Sequence, residues 1–297
     1  MATRGERQHG MNTVLIGKRG QLGAELERIL SQKGGKVYAF DHQELDITDY
    51  QHTNDVLTRI RPDILINTSA YHVLSECETH PEQAFSVNAF SLKNLAVTCG
   101  KQKIKFVTYS TDYVFDGTKG TPYTEEDCPN PLQLYGLSKL AGEIICLNYN
   151  PDSIVIRTCG VYGGAQGSRA KKGNIVLTIL QDAQQKNHLE VSSEQVVSPT
   201  YAGDLAECTV ALLKSNSARG VYHLVNEGIC SWYEFAKEII TRENLTIRIK
   251  PINRKGEYAG IKRPLFSALA NTRAKSIGVS MPSWQDALKR YLTSINT

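Results

Sequence analysis

No stretch of this sequence holds the ~20 consecutive apolar residues that a membrane helix needs. The polar start MATRGERQHG has no apolar signal-peptide segment. Neither membrane spanning nor secretion is expected, and the chain reads as cytoplasmic. Residues 1–10 precede Met11 and read as a leader, a tag or an alternative start, so they are set apart from the fold. No C-x-x-C pair occurs among the 7 cysteines, an odd and widely spaced set. That argues against a disulfide framework or a zinc site and for reduced thiols. No run of Lys and Arg builds a basic stripe, although formal net charge is +4, so nucleic acid is not an expected partner. Repeats, linkers and low-complexity segments are missing too. What remains is a 297-residue chain, 41% hydrophobic and 22% charged, an ordinary composition for one large or two modest globular units.

The first half alternates. VLIG (14–17), KVYAF (36–40), DILINTS (63–69) and IKFVTYS (104–110) read as buried strands. Between them lie helical patterns at 20–33, at 49–60 and in a long run after Pro81. Short apolar strands separated by helices imply crossover units and a doubly wound parallel α/β sheet, Rossmann-like. Further on, 135–148 reads as a helix and SIVIRT (153–158) as a strand. Helices are expected at 174–186, 201–214, 232–243 and 283–293, with strands near 189–193, 221–225 and 246–250. This divides the chain into a dinucleotide-binding domain, 11–160 with about 199–228 returning to it, and a smaller substrate lobe, about 161–198 and 229–294.

GKRGQLG, residues 17–23, follows the first strand and opens the first helix. Gly17, Gly20 and Gly23 lack Cβ atoms, so they can take unusual φ values and admit a pyrophosphate close to the backbone. The helix N-terminus offers free N–H groups and partial positive charge. This marks a dinucleotide site. Arg19 in the loop can pair with a 2′-phosphate, whereas Asp41, ending the second strand, would bond a ribose 2′-hydroxyl. With Asp41 able to turn aside, NADP(H) is preferred and NAD(H) tolerated.

YGLSK places Tyr135 and Lys139 four apart on one helix face, after STD at 110–112. Ketone reduction leaves a developing alkoxide that needs a proton donor. A Lys ammonium ~4 Å from a phenol interacts by about 4 kcal/mol at an effective dielectric of ~20, about three pKa units. Tyr135 is therefore the candidate acid, Lys139 its tuner and a holder of the nicotinamide ribose, and Thr111 a second donor to the carbonyl.

GKRGQLG, YSTDYVFDG (109–117), LYGLSKLAGE (134–143), VSPTYAGDLA (197–206) and KRP (262–264) together resemble the dTDP-4-dehydrorhamnose reductase family of extended short-chain dehydrogenase/reductases. The resemblance runs from about 12 to 293. It implies reduction of a nucleotide-linked 4-keto-6-deoxysugar, with hydride delivered to C4. It implies cofactor contacts at Gly17, Arg19, Gly20, Gln21, Leu22 and Gly23, at Asp46 and Ile47, and at Ser69, Ala70 and Tyr71. It gives Thr111, Tyr135 and Lys139 the triad role, puts Asp112 and Tyr113 by the sugar, and sends Arg263 towards the nucleotide diphosphate. Some members bind Mg²⁺ at a dimer contact; Glu25 alone matches, so a homodimer stays possible and no metal is expected.

Three departures cluster at the expected sugar pocket. Gly160 follows Arg157-Thr158-Cys159 where the family often has Trp, Leu74-Ser75 replaces Val-Asp, and Val197 replaces Gly in EQVVSPT. They keep two alternatives open: a non-catalytic regulatory subunit resembling the β subunit of methionine adenosyltransferase, and a sugar-nucleotide epimerase. His223, Trp232, Trp284 and Asn88 read as structural. His72 stands at the mouth of the site, and Cys159 lies near the pocket without a basic neighbour. The loop 163–173, with Arg169, Lys171 and Lys172, reads as a solvated loop or a phosphate-facing lid.

Overall fold

A computed structural model describes residues 11–164, 173–215, 217–258 and 260–296. The first half builds β1 (Thr13–Ile16), α1 (Gln21–Gln32), β2 (Val37–Phe40), α2 (Tyr50–Ile60), β3 (Ile64–Asn67) and α3 (Leu74–Thr79). Next come α4 (Pro81–Phe85), α5 (Ser91–Gln102), β4 (Lys105–Thr111), α6 (Leu134–Tyr149) and β5 (Ile154–Thr158). The second half adds β6 (Val161–Tyr162), α7 (Ile175–Gln185), β7 (His188–Ser192), β8 (Val196–Val197), β9 (Thr200–Tyr201) and α8 (Ala202–Leu213). It ends with β10 (Gly220–His223), β11 (Cys230–Ser231), α9 (Trp232–Arg242), β12 (Arg248–Ile252), β13 (Glu257–Tyr258), β14 (Ile261–Lys262), α10 (Thr272–Ser276) and α11 (Trp284–Ile295).

The main sheet has six parallel strands in the order β10-β5-β4-β3-β1-β2. The chain steps from β1 outwards to β2, then returns to β3 on β1's other side. That reversal opens a crevice at the carboxyl ends of β1 and β3, where such sheets bind ligands. β1, β3 and β5 are buried at every position, because helices cover both faces. Leu15, Leu26, Ile66, Val107, Ile156 and Leu205 fill one face, between the sheet and α1 and α8. Val14, Ile16, Val56, Leu65, Leu95 and Phe106 fill the other, against α2 and α5.

A second core gathers Tyr162, Ile179, Leu189, Phe235, Ile239, Trp284 and Leu288 from β6, α7, β7, α9 and α11, and β7 pairs in parallel with β12. Two departures from the sequence reading have a clear physical cause. The strand expected at 246–250 runs two residues later, Arg248–Ile252, because parallel pairing with His188–Ser192 sets its register. The run after Pro81 is interrupted by a π turn, Ser86–Phe90, and preceded by α3, which is too short for a periodic signal.

Candidate active site

Gly17 has φ +91°, and a Cβ there would lie 2.4 Å from Thr68 Oγ1. Its N–H bonds Phe40 O at 2.8 Å, so the turn is tied to β2. The other two loop glycines take ordinary backbone, which corrects the expectation of three unusual φ values. Gly20, with φ −77°, is the residue before α1, and Gly23 lies inside the helix. Gly23 serves close packing instead. A Cβ there would sit 2.1 Å from Gly17 O and 2.7 Å from Gly17 C. Alanine is the better helix former by about 0.8–1.0 kcal/mol. Collision with backbone outweighs that gain, since overpacking costs typically ~1–3 kcal/mol. Gly23→Ala is therefore expected to lower the urea midpoint and weaken cofactor binding; an unchanged or raised midpoint contradicts the packing.

The first turn of α1 has no side-chain cap and no acidic residue, so its N–H groups remain open to an anion. Leu22 and Ile47 are core residues, 9% and 4% exposed, so only their backbone can meet a cofactor. Gln21 is tethered elsewhere: its Nε2 donates to Val161 O (3.4 Å) and its Oε1 accepts from Gly163 N–H (2.9 Å). Asp46 closes its own turn by accepting Thr48 N–H and Oγ1–H. Asp41 does not turn aside. Its Oδ1 accepts the N–H groups of Gln43 and Glu44, and its Oδ2 meets Arg19 Nε at 2.5 Å. Burial pushes the Asp41 pKa up, but those N–H groups and the charges of Arg19 and Lys18 outweigh it and hold the carboxyl below its usual range. The two conflicting specificity signals thus form one ion pair, with Arg19's side chain still 46% exposed.

After β3, Ser69 Oγ donates to Asn67 Oδ1 (2.5 Å). Tyr71 N–H donates to Asn88 Oδ1 (2.9 Å), while Asn88 Nδ2 donates to Tyr71 O (2.8 Å) and Ser138 Oγ (3.0 Å). Ser138 Oγ in turn donates to Tyr135 O. Asn88, in the π turn, therefore fastens the loop holding Ala70 and Tyr71 to the stretch of α6 that carries Tyr135 and Ser138. His72 Nδ1 lies 3.3 Å from Ala70 O.

Gln133 caps α6 by accepting Gly136 N–H. The helix carries Tyr135, Lys139 and Glu143 four apart on one face. The Tyr135 ring meets Tyr113 edge-on at 6.2 Å between centroids. Burial raises the phenol's pKa, Thr111 lowers it and Asp112 raises it, with a net rise. Burial drives the Lys139 ammonium down to about 8, against the pull of Glu143. The expected lowering of Tyr135 by Lys139 is not what the structure shows: burial is the larger effect at both groups.

Sequence reasoning passed over the pair beneath Lys139. Glu143 and Arg157 are both buried and bonded bidentately, Nε to Oε1 at 3.0 Å and Nη2 to Oε2 at 2.7 Å. The available signal was Glu143's spacing of four from Lys139. Asp112 is only 4% exposed. Its Oδ1 accepts Thr111 Oγ1–H (3.1 Å) and its Oδ2 accepts Cys159 Sγ–H (3.1 Å). Burial pushes the Asp112 carboxyl up to about 6. Cys159 is raised well above an ordinary thiol, chiefly by burial, and is no nucleophile. Arg263 stacks on Tyr258, 4.7 Å from the ring centroid, and its charge acts on Tyr113. Gly160 has φ +54°, and Trp232 Cη2 lies 2.9 Å from where a Cβ would begin. The indole of α9 thus occupies the space at this family position.

His223 is buried and neutral, its Nδ1 3.1 Å from Tyr123 O, as a structural residue would be. The loop 163–173 falls mostly outside the described residues, and Arg169, Lys171 and Lys172 lie there. Among the described residues, no group of three or more His, Cys, Asp or Glu could hold a metal, and no helix is long and apolar enough to cross a membrane.

The family model described as the RmlD substrate binding domain matches residues 11–297. The spore coat polysaccharide biosynthesis protein SpsK of Bacillus subtilis is 36% identical over 283 residues, covering 95% of this chain and 97% of that protein. The dTDP-4-dehydrorhamnose reductase of Escherichia coli K12 is 34% identical, covering 97% of this chain and 99% of that one. The crystal structure of dTDP-4-dehydrorhamnose reductase from Bacillus anthracis in complex with NADP superposes with TM-score 0.89 at 32% identity, over 96% of this chain and 99% of that one. With the glycine turn at β1 and with Tyr135 and Lys139 one turn apart on α6, the chain belongs to the dTDP-4-dehydrorhamnose reductase family.

Proposed function

We propose that this chain reduces the C4 ketone of a nucleotide-linked 4-keto-6-deoxysugar, with NADPH preferred over NADH. The carrying observation is that α6 sets Tyr135 and Lys139 four residues apart on one face, with Thr111 at the carboxyl end of β4 acting on the Tyr135 phenol. The residues fit a dinucleotide. The start of α1 is uncapped, Gly17 leaves room that a Cβ would fill, and Arg19 offers free guanidinium edges. The B. anthracis relative is described with NADP, which supports the same choice here.

Gly17, Gly20 and the first N–H groups of α1 would hold the diphosphate, Arg19 the 2′-phosphate, and Ser69, Ala70, Tyr71 and Lys139 the nicotinamide end. NADPH, when bound, supplies the hydride to the carbonyl carbon. Tyr135 gives its proton to the carbonyl oxygen as negative charge grows there. Its raised pKa keeps the phenol protonated until that moment. Tyr113 and Arg263 orient the sugar nucleotide.

Arg19→Ala removes a charge-assisted contact of about 1.5–3 kcal/mol, so KM for NADPH is expected to rise by at least about tenfold while KM for NADH changes far less. Equal rises would show that Arg19 does not read the 2′-phosphate. The function itself is tested by NADPH oxidation with dTDP-4-keto-L-rhamnose, where one alcohol formed per NADPH consumed is expected. Interconversion of C4 epimers without net oxidation would replace this reading with epimerisation. No turnover on any keto-sugar nucleotide, with co-purification of an adenosyltransferase, would replace it with the regulatory subunit.

A further inference from the structure

We propose that Glu194 is a positioning residue that folds the turn at 254–256 and so aims the Tyr258 hydroxyl, together with Arg263, at a phosphate group of the sugar nucleotide. This rests on the reductase reading above.

The turn is built around one carboxylate. Glu194 Oε1 accepts the N–H groups of Arg254 (2.9 Å) and Gly256 (3.0 Å), and its Oε2 accepts that of Lys255 (2.9 Å). Lys255 N–H also reaches Asn253 Oδ1. Three successive N–H groups turned to one side make a nest for an anion. Lys255 and Gly256 take φ +53° and +73° to form it. That backbone is unfavourable for a lysine, and the Glu194 carboxylate, 60 positions before Arg254, holds it in place. Gly256 passes the constraint on, because its carbonyl accepts Arg263 N–H at 2.7 Å. Between them β13 and β14 pair antiparallel, with Glu257 opposite Lys262 and Tyr258 opposite Ile261. Glu194 therefore fixes the base of the hairpin that carries Tyr258 and Arg263.

The hairpin leaves two donors unmatched. Tyr258 Oη and Arg263 Nε are both buried, and neither has a hydrogen-bond partner. A buried donor left unpaired costs free energy, and phosphate oxygens, which only accept, satisfy both. Positive charge gathers at the same ring. Arg263 Cζ lies 4.7 Å from the Tyr258 centroid and Arg254 Cζ 5.2 Å, and neither arginine is in an ion pair among the described residues. The chain after Arg263 runs against Gly117, where a Cβ would lie 2.7 Å from Leu265 N and from Pro264 Cβ. Leu265 O also accepts Val196 N–H at 2.8 Å, close to Glu194 in the chain. Gly117 follows the short turn Asp112–Val114 that carries Tyr113, and the charge of Arg263 acts on Tyr113. That turn leaves β4, whereas the cofactor's glycine turn leaves β1, with β3 between them. An anion held by Tyr258 and Arg263 thus belongs to the sugar nucleotide and not to the dinucleotide.

The test is calorimetric titration of dTDP into the NADP⁺-loaded chain, with NADPH binding followed by fluorescence as the control. Tyr258→Phe and Glu194→Ala are each expected to raise the Kd for dTDP by at least about tenfold, the loss of a hydrogen bond to a charged group, with the Kd for NADPH unchanged. Glu194→Ala should also let trypsin cut after Arg254 or Lys255 at least about tenfold faster, since the released turn opens more often; mass spectrometry locates the cut. Tyr258→Phe should keep the wild-type cutting rate, which separates a missing donor from a loosened turn. A wild-type Kd for dTDP in Tyr258→Phe would overturn the proposal, as would failure of dTDP to bind the wild-type chain. An unchanged cutting rate in Glu194→Ala would overturn the positioning role, and equal weakening of dTDP and NADPH would reduce it to a general effect on the fold. Weakened dTDP binding in both variants, with no turnover of any keto-sugar nucleotide by wild type, would support this site and count against the reductase reading.

Discussion

Tyr135→Phe is expected to lose at least about 10²-fold in kcat, and up to about 10⁴-fold, while KM for the sugar nucleotide moves little. A fall in kcat without a rise in KM marks an interaction made in the transition state. The substitution removes only the hydroxyl. The ring stays against Tyr113, and the Ser138 bond to the Tyr135 carbonyl is untouched. Folding should therefore be preserved, and the circular dichroism spectrum should match wild type. The physical reason for the loss is that the developing alkoxide has no second donor: Thr111's proton is committed to Asp112. A variant within about threefold of wild type, below the ~10²-fold floor for general acid catalysis, would remove Tyr135 from the chemistry.

The second large effect falls on stability. Glu143→Gln should destabilise the fold by about 3–5 kcal/mol, the range for breaking a buried ion pair by removing one partner. Arg157 would keep a buried charge, and its Nη1 already has no hydrogen-bond partner. It sits over the Phe115 ring at 5.2 Å, which offers weak compensation. Glu143 also supports the charge on Lys139, so the variant should lower Lys139's pKa below its present value of about 8. The double variant Glu143→Gln with Arg157→Met should be more stable than the single one, because it leaves no charge stranded. Urea denaturation reads both. A single variant within about 1 kcal/mol of wild type, the usual size of a surface pair, would mean that the pair is far more hydrated than its burial indicates.

What was legible in the chain follows from distance along it. The glycine turn, β1 and α1 follow one another directly between Thr13 and Gln32, and their pattern announces strand, turn and helix together. Tyr135 and Lys139 were legible because helical spacing alone puts them on one face. Contacts between remote segments were not. Cys159 meets Asp112 across 47 positions, and Gln21 reaches Gly163 across 142. Nothing local in either stretch announces the partner. The burial of Asp112 was not legible either, because Cys159 reaches it from beyond the end of β5. The Arg19–Asp41 pair was read as a conflict because each residue was weighed alone, whereas the fold joins them in one ion pair.

The most direct measurement is the fate of deuterium from NADPH labelled at nicotinamide C4, followed by mass spectrometry and NMR of the sugar product. One deuterium at C4 of the sugar, with an equal amount of NADP⁺ formed, is the expected result. Loss of label to water, label at any other carbon, or product without cofactor oxidation would contradict ketone reduction at the crevice shared by Thr111, Tyr135 and Lys139.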